Sequence, residues 1–156
     1  MASFSRIPVM IGGSGEKKTL RMVAQYADES NLTSPAAELP HKLEVIAEHC
    51  ERLGRDRSTL TVSQHLNVVL APTHEQAFDE FADALALRDI DLRNADEDFR
   101  SMIEAMVILG DPDEVGGRLA EIVALGADGL TMSAPANGFV PDRLEALGEV
   151  ASKALA

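Results

Sequence analysis

The sequence has one cysteine, Cys50, no tryptophan and one tyrosine, Tyr26, among its 156 residues. A single cysteine cannot close an intramolecular disulfide, so the fold must rest on its core. Cys50 lies in the helical run K-L-E-V-I-A-E-H-C-E, where a buried structural thiol is expected. A nucleophilic thiol needs a base beside it. The adjacent His49 is no such base, because helical neighbours point about 100° apart. Basic residues are also scarce, 14 against 26 acidic ones, for a formal net charge of -12. That balance excludes nucleic acid and anionic membrane as main partners, since either requires a basic face. Lys17, Lys18 and Arg21 form the one local basic spot. No apolar run approaches the roughly 20 residues that span a bilayer. No leader is evident in Met1-Ala2-Ser3-Phe4-Ser5-Arg6, so the expected compartment is the cytoplasm.

What remains is an ordinary globular balance, 46% hydrophobic and 26% charged, in a length that suits one domain over residues 1–156. The chain is organised around residues 7–32. A short apolar run at 7–11, rich in β-branched residues, reads as a buried strand. Gly12, Gly13 and Gly15 then leave backbone N–H groups uncovered before a helix over 16–27. Leu20, Val23, Ala24 and Ala27 give that helix one apolar face, and Glu16 suits its first turn. Strand, glycine turn and helix together make an anion cradle. The turn is neither a Walker loop, because Lys17 stands where glycine is required, nor a dinucleotide fingerprint, which needs a third glycine. A tight turn without a ligand is the alternative reading.

Further along, residues 27–33 read as a short strand with polar ends. Ser34 caps a helical start at Pro35, and Pro40 marks a boundary or a fresh start. Leu43, Val45, Ile46 and Leu53 form the apolar side of the next helix, which Gly54 ends. Residues 60–71 are the clearest strand, with Gln64 and His65 on opposite faces. Thr73 caps a helix over 74–87. The charged stretch 88–100 reads as an outward loop or short helix, with 89–98 a solvated surface. An apolar run at 101–109 stops at Gly110. Asp111 caps a helix over 113–125, a strand covers 130–134 and a helix over 141–155 closes the chain. The order β-α-β-α-β-α-α-β-α, about four βα units, implies a parallel α/β sheet with right-handed crossovers. A complete (β/α)8 barrel needs about 250 residues; this chain has half of one.

The run I-P-V-M-I-G-G-S-G-E-K-K-T-L-R-M-V-A-Q-Y-A-D-E-S-N-L resembles the bacterial luciferase-like superfamily, closest to its coenzyme F420-dependent oxidoreductase branch. The closing L-G-A-D-G-L-T-M-S-A-P-A-N-G is similar to that family's last barrel strand and loop. The resemblance implies the C-terminal half of a TIM-type barrel, with strands five to eight present. It also implies F420, or else FMN, as cofactor for hydride transfer or monooxygenation of a small-molecule substrate. Gly12, Gly13, Ser14 and Gly15 are then the cofactor-phosphate contacts.

Asn31, Thr33 and His65 are weaker candidates for cofactor or substrate contact, at strand ends or within the long strand. For Asn31 and Thr33 a polar turn cap is the competing reading; for His65 it is a hydrogen-bonded structural histidine. His41, His49 and His74 read as solvated. No spacing suggests a metal site, Ser133 lacks a nucleophile elbow, and no side chain declares itself catalytic. A half-barrel exposes sheet edges and interior, so a homodimer, a larger assembly or a separate N-terminal half is expected. The alternative function is a non-catalytic half-barrel, either a remnant or a module that binds a partner or ligand.

Overall fold

The computed structural model describes residues 7–156; the reading of residues 1–6 lies outside the described residues. The chain forms two compact units. One comprises the chain up to His65 together with Leu125–Thr131, the other Leu66–Ala124 with Met132–Ala156.

In the first unit, β1 (Met10–Gly12), β2 (Glu29–Leu32) and the start of β3 (Thr61–Leu70) pair in parallel. Gly12 stands opposite Asn31, which stands opposite Ser63. The beginning of β5 (Gly129–Ser133) also belongs here, and β5 pairs with β3. Helix α1 (Thr19–Tyr26) buries Leu20, Val23 and Ala24, and Ala27 follows them, which is the face expected from spacing. The helix is shorter than expected, because residues 16–18 form a turn. Glu16 is drawn out of any helical role by Lys42, whose Nζ lies 2.6 Å from its carboxylate.

Helix α2 (Leu39–Leu53) buries Leu39, Lys42, Ile46, His49 and Cys50, while Leu53 is exposed. The expected stripe through Leu43, Val45 and Leu53 is therefore rotated. Two polar residues occupy the inward positions because each has a partner. Lys42 bridges Glu16 and Glu38, and His49 Nε2 lies 2.8 Å from the Glu16 carbonyl oxygen. Gly54 ends the helix with φ 65°, a conformation costly for residues with a Cβ. Ser34 does not cap a helix; a 3-10 turn over Ala36–Glu38 comes first, entered from Pro35. The strand expected as buried at 7–11 is also corrected. β1 starts at Met10, and Ile7, Val9 and Met10 are exposed, since among the described residues β1 pairs only with β2.

In the second unit, α3 (His74–Ala86), α4 (Glu97–Glu104), α5 (Pro112–Ala124) and α6 (Arg143–Ala154) accompany a strand missed in the sequence, β4 (Ile108–Gly110). β4 pairs in parallel with the end of β3, Val68 opposite Ile108. The apolar run 101–109 is thus half helix and half strand. A short apolar run is ambiguous by periodicity, and β-branched Val107 and Ile108 before Gly110 favour the extended form. Five strands result among the described residues, all in parallel α/β pairings where register is defined.

Val69, Ala77, Phe81, Leu85, Leu92 and Ala136 anchor this unit's core. Leu92 corrects the reading of 89–98 as wholly solvated. It is buried while neighbouring Arg93 bridges Asp79 and Asp83 at the surface. Thr73 and Asp111 cap their helices as expected, accepting from the Gln76 amide and from those of Asp113 and Glu114. Among the described residues no helix is long and apolar enough to cross a membrane.

Candidate functional site

The turn at residues 12–15 is tied to the end of β2 from both sides. The Gly13 N–H donates to the Asn31 carbonyl at 2.9 Å. Ser14 Oγ accepts from the Thr33 and Ser34 amides at 2.9 and 2.8 Å. A hydroxyl has two acceptor positions and one hydrogen. Ser14 has filled both acceptor positions, so its O–H hydrogen is free to donate outward. Beyond it, the amides of residues 14–18 have no acceptor among the described residues.

Glycine is demanded at two of the three positions. Gly13 has φ 119°, and a Cβ there would meet Thr19 Cγ2 at 3.2 Å. At Gly15 a Cβ would stand 3.0 Å from Thr19 Oγ1, whereas at Gly12 it would make only ordinary contact. A row of unpaired amides, one hydroxyl donor and the start of α1 suit an anion. Lys17, Lys18 and Arg21 are exposed beside it and make no ion pair among the described residues. Lys17 and Arg21 line a groove of about 530 Å³ with Glu16, Val45, His49 and Arg52.

Behind the turn lies a charged anchor. The hydrogen bond from Lys42 holds the Glu16 carboxyl below its ordinary range, and the same bond raises the Lys42 ammonium. His41 contacts the same carboxylate at 3.2 Å. His49, expected to be solvated, is instead buried against the Glu16 carbonyl. Cys50 is buried beside it, and desolvation pushes its thiol up, which removes nucleophilic character.

The weaker candidates separate. Thr33 contributes its backbone amide to Ser14, and its side chain is exposed. Asn31 and His65 belong together, joined through a residue the sequence did not single out. Thr131 Oγ1 donates to Asn31 Oδ1 at 2.9 Å and lies 3.3 Å from His65 Nδ1. Ser63 Oγ reaches the same Asn31 Oδ1 at 3.2 Å. Gln64, on the opposite face, is buried and donates to the Ser34 and His65 carbonyls. The alternation in L-T-M-S was the only signal for Thr131, and it does not say which neighbour the hydroxyl meets.

Parallel strands alternating with helices define part of a (β/α) barrel. The luciferase-like monooxygenase family model matches residues 2–129, and the chain belongs to that family. Several solved structures share the fold. Coenzyme F420-dependent tetrahydromethanopterin reductase from Methanopyrus kandleri is 20% identical with a TM-score of 0.65, the match covering 93% of this chain and 49% of that one. An F420-dependent secondary alcohol dehydrogenase, solved with an F420–acetone adduct, is 12% identical with a TM-score of 0.69, covering 97% and 50%. The oxygenating constituent of 3,6-diketocamphane monooxygenase from Pseudomonas putida, in complex with FMN, is 16% identical with a TM-score of 0.66, covering 96% and 49%. The present chain spans about half the length of these proteins. No match was found among curated proteins.

Proposed function

We propose that the chain is the C-terminal half of a luciferase-like oxidoreductase barrel whose turn at residues 12–15 holds the phosphate of F420 or FMN. The observation that carries this reading is the row of unpaired amides at residues 14–18 together with the outward hydroxyl of Ser14. Neighbours of the same fold are described with F420 and with FMN, which supports the cofactor class. F420 is the first choice, because the glycine-turn stretch resembles that branch most closely.

When bound, such a cofactor supplies the hydride chemistry. The chain's own part is to hold and orient it. Ser14 and Gly15 give the phosphate N–H and O–H donors, Lys17 and Lys18 add positive potential, and Asn31 fixes the turn by accepting the Gly13 N–H at its carbonyl. Cytoplasmic location fits this role. The exposed Ile7, Val9 and Met10 support a second reading, in which a second copy or a separate N-terminal half covers β1. A non-catalytic half-barrel is the alternative to activity.

Fluorescence titration of the chain with F420 and with FMN tests the proposal, alongside Gly13→Val. A valine at φ 119° collides with Thr19 and closes the cradle. Binding of one cofactor, lost in Gly13→Val while the far-ultraviolet circular dichroism persists, is expected. Equal affinity in the variant would remove the turn as the phosphate site, and binding of neither cofactor would favour the non-catalytic reading.

A further inference from the structure

One face of the first unit's sheet carries a hydrogen-bond chain that the glycine turn does not use. Asn31 on β2 stands opposite Ser63 on β3, two residues before His65 on the same face. Asn31 Oδ1 faces the hydroxyls of Ser63 and Thr131, and Thr131 faces His65 Nδ1.

The direction of this chain follows from counting hydrogens. An amide oxygen only accepts, so Thr131 spends its single hydrogen on Asn31. Its oxygen must then accept from His65, which places the hydrogen of the neutral imidazole on Nδ1. Nε2 is left with a lone pair and has no partner among the described residues. His65 is half-buried, and its unpartnered Nε2 is not among the buried polar atoms, so it stays accessible to a ligand. Free imidazole side chains favour the opposite tautomer, and the network works against that preference.

We propose that Asn31 and Thr131 hold His65 as the Nδ1–H tautomer, so that Nε2 accepts a hydrogen bond from an N–H or O–H of a flavin or deazaflavin ring system bound over this face. The ligand part rests on the cofactor reading above. His65 touches the ligand, whereas Asn31 and Thr131 are positioning residues. The orientation of the Asn31 amide sets the sign of recognition. With its nitrogen turned toward the hydroxyls, every hydrogen in the chain would reverse and His65 would present a donor.

The tautomer is read without any ligand, from long-range proton–nitrogen correlation spectra of the full chain labelled with nitrogen-15 histidine. His65→Phe assigns the signal among the four histidines. A protonated Nδ1 and a bare Nε2 are expected in the wild type. Thr131→Val, which keeps the shape and removes the hydroxyl, should return His65 to Nε2–H. A wild-type Nε2–H tautomer overturns the proposal.

Riboflavin, its 5-deaza analogue and inorganic phosphate are then added separately. The phosphate-free rings bypass the cradle, so this arm is independent of the glycine turn. One of them should shift Nε2, and phosphate should not. Thr131→Val should weaken ring binding about 3- to 10-fold, the range of a single lost hydrogen bond. His65→Gln, which retains an acceptor, should lose less than His65→Phe. Ring binding that leaves Nε2 unmoved overturns the proposal but not the cofactor reading. F420 or FMN binding without any ring affinity overturns it too, and failure of all of them to bind removes both.

Discussion

Asp128 offers a direct measure of what holds β5 to β3 in the first unit. Its carboxylate accepts from the Val62 amide at 2.8 Å, while its own amide donates to the Val62 carbonyl at 2.8 Å. Asp28 repeats the arrangement on β2, accepting from the Val9 amide at 2.8 Å and donating to the Val9 carbonyl at 2.8 Å. Each aspartate follows an alanine and opens a strand, so the two clamps are the same device used twice. Their surroundings differ: Val62 is fully buried and Val9 is 44% exposed. Asp128→Ala removes a charge-assisted hydrogen bond, about 1.5–3 kcal/mol, and strands a buried N–H. The Asp128 side chain is 48% exposed and its ion pair with Arg57 is long at 3.7 Å. The lower part of the range therefore applies, with little added by the pair. A loss of about 2 kcal/mol would speed exchange of the Val62 amide about 30-fold, since 1.4 kcal/mol is tenfold. Asp128→Asn keeps an acceptor and should cost about 0.5–1 kcal/mol. At Asp28→Ala, water replaces the carboxylate at the exposed Val9 amide, so the protection lost at that amide should be about 0.5–1 kcal/mol. Native-state hydrogen exchange resolves these local effects, which a global melt would blur. Equal losses at the two aspartates, or unchanged exchange at Val62 in Asp128→Ala, would refute the argument that burial of the donor sets the magnitude.

Acid should act through Glu16, whose carboxyl the Lys42 hydrogen bond holds below its ordinary 4.5. A lowered folded pKa gives stability that is present above that ordinary value and is lost as pH falls through the folded pKa. The stability gap between wild type and Lys42→Met, from urea midpoints, should therefore be full at pH 6 and shrink below about pH 4.5. A gap that stays constant down to pH 3 would show that Lys42 acts through its packed stem instead. Light scattering at micromolar concentration should find a dimer or larger assembly that covers β1, and a clean monomer would count against this.

The elements legible in the sequence were those whose signal is local. Leu20, Val23, Ala24 and Ala27 recur at helical spacing and are buried. Thr73, Asp111 and Gly54 carry their capping chemistry in their own side chains or backbone, and each terminates a helix as read. The misreadings share the opposite property. Lys42 and His49 occupy inward positions of α2 where Glu16, more than 25 residues away along the chain, supplies a partner to each. Leu92 hides within a charged stretch because Arg93 takes up two surface carboxylates beside it. β4 was lost because three residues carry no period of their own; pairing with Val68–Leu70 makes them a strand. The glycine turn was legible as a turn. What it does with its donors depends on Ser14 reaching Thr33 and Ser34, a tertiary fact.

Asn31 is where these threads meet. Its backbone carbonyl accepts from Gly13 and so ties down the glycine turn. Its side-chain oxygen gathers Ser63 and Thr131 and, through Thr131, sets the proton position on His65. A strand residue alternates its side chain between faces, but its carbonyl lies in the plane of the sheet. One residue can therefore address the turn at the strand's edge and the polar face above it at once. The parallel register places Gly12, Asn31 and Ser63 in a single row across three strands. A one-residue slip would send the Asn31 side chain to the other face and leave Thr131 without its acceptor. The polar face thus depends on the register of β2, and that register is held at one end by the Asp28 clamp and at the other by Ser14.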